Sequence, residues 1–410
     1  MAGFKKQPTE QKPTVKKADG QSIEELKKEL NEVSLEIKSL LGGTKDKNSL
    51  DFDTRGKLGN KYVHAATLAK EIAERTTNEK EQEEFFNYYK KWSKTAEGYG
   101  SAIQFDTSTT TLDDVKGLEE VKDLVRSFIF LAKNPTILEK YKIEGGFGLF
   151  MYGAPGTGKT MFAKAIAHEL NLPLFVVEPS DIFKSYVGES EASVKRLFEQ
   201  IEYCKTGAVV FVDECDELFS RRSSGSKDYK SAVTNQLLQN LNGFSTDGSK
   251  RILIAATNLP WNVDPAYLRY KRFSHHVHIT PPDESAIKAI LKSKLAGVPT
   301  TSDVNIDDIY TMLAAQCKPS TSLSNNASLG VSYYSSADIC GIIEEACRMA
   351  VEQIISENTG RGKKIEVVNE YPPVTLDMFE KAILNKKPSI SAESYESYKN
   401  FRVGQKDGVL

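Results

Sequence analysis

Five cysteines in 410 residues (Cys204, Cys215, Cys317, Cys340 and Cys347) form no CxxC pair and none of the spacings that hold zinc, and their number is odd. A disulfide scaffold and a structural zinc site are thereby set aside, and a reducing, cytoplasmic setting is the expectation. Runs of 18 or more apolar residues are absent, and MAGFKKQPTEQK lacks the apolar core of a signal peptide, so neither a transmembrane segment nor a secretory leader is expected. An excess of one charge is lacking too. With 54 Lys and Arg against 56 Asp and Glu, the net charge of −2 carries no nucleic-acid footprint, although it leaves room for a local basic patch.

What is present is concentrated in Leu149 to Leu170, LFMYGAPGTGKTMFAKAIAHEL. Leu149, Phe150, Met151 and Tyr152 read as a buried strand, Gly153 to Gly158 as a glycine-rich turn, and an apolar-periodic helix is predicted from near Thr160. Gly153, Gly156 and Gly158 remove side chains so that successive N–H groups can close around phosphate oxygens, at a helix N-terminus whose dipole favours an anion. Lys159 supplies a mobile positive charge for the outer phosphates, and the Thr160 hydroxyl can ligate Mg2+. Average composition produces this spacing in a chain of such length with a chance on the order of one or two per cent. The predicted nucleotide contacts run through Gly153, Pro155, Gly156, Thr157, Gly158, Lys159, Thr160 and Met161.

Upstream, residues 1–20 are rich in Lys, Gln, Pro and Thr and are expected to be a disordered tail. A helix then opens with a capping box, Ser22 and Glu25, and stops at Gly42-Gly43. Its Ile23, Leu26, Leu30, Val33, Ile37 and Leu40 step by three and four, a heptad seam. A second helix carries Leu58, Tyr62, Ala65, Ala69 and Ile72 on one face. A third, capped by Asn78 with Glu81 three residues on, carries Phe85, Tyr89, Trp92 and Ala96. Residues 21–100 are thus expected to form a helical bundle or coiled coil, whose seam serves core packing, an oligomer contact or a partner groove. Residues 101–111, SAIQFDTSTTT, read as a linker.

From Leu112 the pattern alternates helices with short apolar runs, the mark of an α/β doubly wound parallel sheet. A helix near Glu119 to Ala132 precedes the loop, and strands follow at Leu174 to Val177, Ala208 to Val212 and Arg251 to Ala256. Past Pro281-Pro282 the chain turns helical, over Asp283 to Ala296, Ile306 to Gln316, Ala337 to Glu357 and Leu376 to Asn385. The serine-rich stretch Lys318 to Tyr334 between them reads as a flexible surface loop.

The strand Ala208 to Val212 ends in Asp213-Glu214. Asp213 is placed to hold the Mg2+ shell, and Glu214 to polarise a water for in-line attack on a γ-phosphate. On an extended segment neighbouring carboxylates point to opposite sides, which separates the two roles. The next strand ends in Thr257-Asn258, where a neutral amide can bond the water or the γ-phosphate; by itself Asn258 equally suits a turn. His275, His276 and His278 invite a metal reading, but side chains alternating along a strand do not converge on one ion.

GAPGTGKT, VVFVDECDE, AATNLPWNVDPA and YLRYKRF, in this order and spacing, resemble the AAA ATPases from about Leu112 onward. Pro260-Trp261 and the closing KPSISAESYESYKNF look most like the group of katanin, spastin, fidgetin and the vacuolar-sorting remodelling ATPase. The resemblance implies a P-loop large domain over 112–280, a small helical lid over 281–388 and a C-terminal helix and tail over 389–410. It also implies ATP as substrate with Mg2+, and a homo-oligomer, as a hexameric ring. Arg269 and Arg272 become candidate fingers reaching the γ-phosphate of a neighbouring subunit, and Tyr186 the aromatic of a substrate pore loop. Asp114 and Val115 match the segment that cradles adenine, and Ala337 the lid motif that closes over it. The implied activity is remodelling of protein substrates, recruited with or without an adaptor through residues 21–100, and no nucleic-acid partner is expected. The rival readings are a nucleotide-switched scaffold with little turnover and a nucleic-acid-associated ATPase.

Overall fold

Ser22 Oγ accepts from Glu25 N at 3.2 Å and Glu25 Oε2 accepts from Ser22 N at 2.7 Å, so helix α1 (Ile23–Leu41) starts at a complete capping box. It ends at Gly42, whose φ of 52° is left-handed. Helix α2 (Phe52–Arg75) packs against both α1 and α3 (Glu79–Glu97). Leu26, Leu30, Val33 and Ile37 of α1 are buried against Leu58, Ala65, Leu68 and Ile72 of α2, which the 3–4 spacing requires. Asn78 caps α3, its Oδ1 accepting from Lys80 N at 3.1 Å and Glu81 N at 3.4 Å. The Glu81 carboxylate goes elsewhere, to the Thr76 hydroxyl at 2.7 Å and to Lys27 of α1 at 2.6 Å.

This computed structural model describes residues 21–42, 50, 52–97, 99, 104–106, 110–142, 147–183, 189–204, 207–220, 251–268, 273, 275–317, 332–359 and 371–401. The chain divides into two units, residues 1–100 and residues 101–410.

In the second unit, six strands form one sheet: β1 (Gln104–Asp106), β2 (Phe147–Tyr152), β3 (Leu174–Val177), β4 (Ala208–Val212), β5 (Arg251–Thr257) and β6 (His275–His278). Their order is β1-β3-β4-β5-β2-β6, with β3, β4, β5, β2 and β6 parallel and β1 antiparallel on the edge. Residues 101–111 are therefore more than the linker expected of them. Phe105 pairs with Phe175, and β1 covers the β3 edge that would otherwise expose unpaired backbone groups. All of β3 and β4 is buried, as continuous apolar runs in a parallel sheet must be. Around the sheet lie α4 (Glu119–Lys133), α5 (Pro135–Lys140), α6 (Lys159–Leu170), α7 (Pro179–Ile182), α8 (Glu189–Tyr203) and α9 (Cys215–Leu218). Phe128 of α4 and Phe162 and Ile166 of α6 share one core with Leu149 and Ile254.

Beyond the sheet come α10 (Glu284–Leu295), α11 (Ile306–Gln316), α12 (Ser336–Thr359), α13 (Leu376–Asn385) and α14 (Ala392–Asn400). Asp283, Asn305, Thr375 and Ser391 cap four of them through their side chains. A second core joins Leu291, Ile309, Leu313, Ile342 and Phe379. The end of the serine-rich stretch is not a free loop: Tyr333 bridges Ile390 across the backbone, and Tyr334 is 2% exposed with its hydroxyl on the Lys386 carbonyl at 2.8 Å. Residues 318–331 of that stretch, and the tail 1–20, lie outside the described residues.

Because the two units have separate cores, a cavity in one should leave the other untouched. Leu30→Ala is expected to destabilise the residue 1–100 unit by about 2–5 kcal/mol. Calorimetry should then show that unit's transition at lower temperature, with nucleotide affinity unchanged.

Candidate nucleotide site

Strand order places the carboxyl ends of β4, β5 and β2 side by side, and in an open α/β sheet that edge is where ligands sit. In register, Tyr152 lies opposite Thr257 and Val212 opposite Ala255, so the loop after β2, the acids after β4 and Asn258 after β5 form one rim.

The loop from Gly153 to Gly158 runs straight into α6. Gly153 has a φ of 153°, and a Cβ there would come within 2.3 Å of the Ile279 carbonyl oxygen, so no side chain fits. Gly156 has a φ of 73°, and a Cβ would lie 2.9 Å from both Ala337 Cβ and Ser335 Oγ. The Thr157 hydroxyl donates to the Ala154 carbonyl at 2.9 Å and tightens the turn. Pro155 is exposed on the loop and Met161 on the first turn of α6.

Lys159 is 7% exposed and folds back on its own loop, with Nζ donating to the Gly153 and Ala154 carbonyls at 2.9 and 2.8 Å. Burial pushes its pKa down from 10.5 to about 8, against the opposing pull of Asp213. Thr160 Oγ1 donates to Asp213 Oδ2 at 2.9 Å. That hydroxyl and carboxylate are hard oxygen donors converging on one point, and they fit Mg2+, which takes one or two protein oxygens and completes its shell with water and phosphate.

Asp213 follows β4 directly, but Glu214 does not continue the strand. With φ 47° and ψ 42° it stands left-handed at the N-cap of α9. The pleat invoked to separate the two carboxylates is therefore absent, and a backbone turn separates them instead. A left-handed Glu costs about 1–2 kcal/mol, strain of the kind that gathers at functional sites. Glu214 is exposed. What desolvation it has, followed by the charge of Asp213, Glu217, Asp216 and Glu178, raises its pKa above the usual carboxylate value.

Asn258 is half-buried, and its Oδ1 is buried without a hydrogen-bond partner among the described residues. The preceding Thr257 hydroxyl donates to Asp216 Oδ1 and accepts from Leu259 N at 2.8 Å, tying the end of β5 to α9. His278 stacks on Tyr152 at 5.3 Å, and its pKa falls to about 4, through burial first and the Lys159 charge second. His275 turns to Phe128 at 5.8 Å, and His276 to Phe150 at 5.7 Å.

The start of α12 closes on the loop, where Ala337 N donates to the Gly156 carbonyl at 3.0 Å. Asp338 holds that turn by accepting from Ser335 N at 2.9 Å, Ser335 Oγ at 2.8 Å and the Ser389 hydroxyl. Burial pushes the Asp338 pKa up, but the Ser389 and Ser335 hydrogen bonds outweigh it and leave the group below its ordinary value. Val115 is 5% exposed. The Asp114 carboxylate caps its own turn, accepting from Thr111 N at 2.8 Å and Thr111 Oγ1 at 2.9 Å. Tyr186, Arg269 and Arg272 lie outside the described residues.

Residues 149–281 match the family model described as ATPase family associated with various cellular activities (AAA). The chain carries an AAA domain. It is 33% identical over 291 residues to the Cell division cycle protein 48 homolog of Archaeoglobus fulgidus, covering 70% of this chain and 36% of that one. Protein SAV of Sulfolobus acidocaldarius is 28% identical over 293 residues, 69% of this chain and 34% of its own. The ATP-dependent zinc metalloprotease FtsH 4 of Synechocystis is 34% identical over 213 residues, 51% and 34%. The chain thus spans about a third of the length of these curated relatives. The solved FIGL-1 AAA domain superposes with a TM-score of 0.58 at 24% identity, over 72% of this chain and 90% of that one. Its complex with ADP gives 0.56 at 22% identity, over 72% and 91%. Structures this distant in sequence speak for the fold. No described helix of the chain is long and apolar enough to cross a membrane.

The structure brings the loop, Asp213 and Asn258, all singled out in the sequence, to one rim, and adds Asp216, Ser335 and His278, which the sequence had not placed there. Asp216 stood inside the acidic run VVFVDECDE, a signal that could have found it.

The lowered pKa of Lys159 has a sign that can be tested. In the free chain the ammonium is lost as pH rises through about 8, whereas anionic phosphates hold it protonated. ADP binding should therefore take up a proton, increasingly from pH about 7 to about 9. Calorimetry in two buffers of different ionisation heat measures the uptake, which should vanish in Lys159→Met.

Proposed function

We propose that this chain is a Mg2+-dependent ATPase that works as a homo-oligomeric ring, a hexamer, and uses hydrolysis to remodel protein substrates. The observation that carries the hydrolysis reading is the Thr160–Asp213 hydrogen bond of 2.9 Å beside a buried Lys159, at the mouth of a loop closely approached by Ile279 at Gly153 and by Ser335 and Ala337 at Gly156. The AAA match and the likeness to a FIGL-1 domain solved with ADP support a nucleotide as the ligand.

In this reading the N–H groups of Gly156, Thr157 and Gly158 bind the phosphates, Lys159 leaves its loop carbonyls for the outer phosphates, and Thr160 and Asp213 hold the metal. Mg2+ supplies charge neutralisation on the phosphate oxygens. Glu214, with its raised pKa and no competing partner role in the metal pair, accepts a proton from the attacking water. Asn258 orients that water or the terminal phosphate, and Val115 and Ala337 border the base. Arg269 and Arg272 act on the γ-phosphate of the adjacent copy, where a guanidinium stabilises charge developing on the transferred group. Tyr186 grips extended polypeptide in the central pore. Residues 21–100 recruit the substrate or an adaptor, and the cytoplasm is the setting. One relative bears the name of an ATP-dependent protease, and an enzyme acting on polypeptide fits this use of the fold.

Glu214→Gln should lower kcat by about 10²–10⁴-fold while ATP still binds. An Arg269→Ala, Arg272→Ala double variant should be similarly slow. Mixing the two slow chains should restore part of the activity, because some interfaces then combine an intact Glu214 with intact arginines. A mixture no faster than its components, or a fully active monomer, would falsify the shared-site reading.

A further inference from the structure

Tyr398 of α14 and Asn258 at the end of β5 stand 140 residues apart, and the Tyr398 hydroxyl donates to the Asn258 main-chain carbonyl at 2.7 Å. The Tyr398 side chain is 4% exposed, and its ring lies 5.4 Å from Trp261 and 5.9 Å from His278. Its phenol is protonated near neutral pH and so serves as a donor, and burial raises its pKa further. From the other side the same turn is held by Thr257, through Asp216 and Leu259 N. Asn258 is therefore fixed through the backbone on both flanks, while its buried Oδ1 meets no partner among the described residues. Leaving such an oxygen unpaired costs about 1–3 kcal/mol, so an arrangement that tolerates it points the amide at something outside the described residues.

We propose that Tyr398 is a positioning residue for the reaction: its hydroxyl holds the Asn258 backbone so that the carboxamide meets the terminal phosphate and attacking water at one angle. Turnover thereby depends on a docked C-terminal helix. The inference rests on the hydrolysis reading above. An amide a fraction of an ångström out of place still binds nucleotide through the loop, but it loses the interaction that belongs to the reacting geometry. Tyr398 thus acts on kcat through Asn258, and not on the affinity for a diphosphate, which lacks the group Asn258 addresses.

The test uses the full chain, with Tyr398→Phe, Asn258→Ala, the double variant, and Glu214→Gln as the hydrolysis control. Tyr398→Phe keeps the ring against Trp261 and His278 and removes only the hydroxyl. Its kcat should fall about five- to tenfold, the worth of one well-placed hydrogen bond, with the ADP dissociation constant within about twofold of wild type. In the Asn258→Ala background the same change should cost nothing further, because the group being positioned is gone. An unchanged kcat in Tyr398→Phe overturns the proposal. So does a loss of ADP affinity equal to the loss in kcat, or a full additional loss in the double variant, since both describe general structural support. A wild type no faster than Glu214→Gln instead removes the hydrolysis reading, and this inference with it.

Discussion

The hydrogen bond from Thr160 to Asp213 joins the first turn of α6 to the end of β4, and β5 lies between the strands that carry them. Strands β2 and β4 are therefore two spacings apart, about 10 Å. The hydroxyl reaches the carboxylate only because the loop after β2 turns back over the sheet edge. That turn needs a backbone without side chains at Gly153 and Gly156, as close approaches to Ile279 and Ser335 require. The glycine loop, the Thr160–Asp213 pair and the buried Lys159 all follow from one tightly folded hexapeptide resting on a parallel sheet.

The glycine loop is also where the helices beyond the sheet attach. Ala337 N bonds the Gly156 carbonyl, and the Asp338 network locks the start of α12 in place. At the neighbouring position on the rim, after β5, α14 reaches back through Tyr398. Loop and rim are thus gripped by two segments far apart in the chain.

Periodicity made most elements legible. The capping box at Ser22 and the seam Leu26, Leu30, Val33 and Ile37 describe α1 almost to the residue, and β3, β4, α11 and α13 fall where apolar runs and caps put them. Three expectations needed correcting, each for a reason of scale or context. Gln104–Asp106 is too short to show an alternation, and it becomes a strand only because β3 offers an edge. Glu214 looked like the continuation of a strand, but the chain turns left-handed there, a conformation that composition does not announce. Tyr333 and Tyr334, at the end of a serine-rich stretch, are held by Ile390 and Lys386, residues more than 50 positions away.

By itself the sequence determined the identities that local chemistry demands: glycines where the chain turns tightly from strand to helix, a lysine and hydroxyl after them, an acid after an apolar run, and polar caps where helices begin. Only the tertiary structure decided which of these meet. Strand order is a long-range property, settled by how buried strands share two helix-covered faces. The partnering of Thr160 with Asp213, Gly156 with Ala337 and Asn258 with Tyr398 follows from that order, because side chains pair by distance in space and the spacing of residues along a chain carries no such distance.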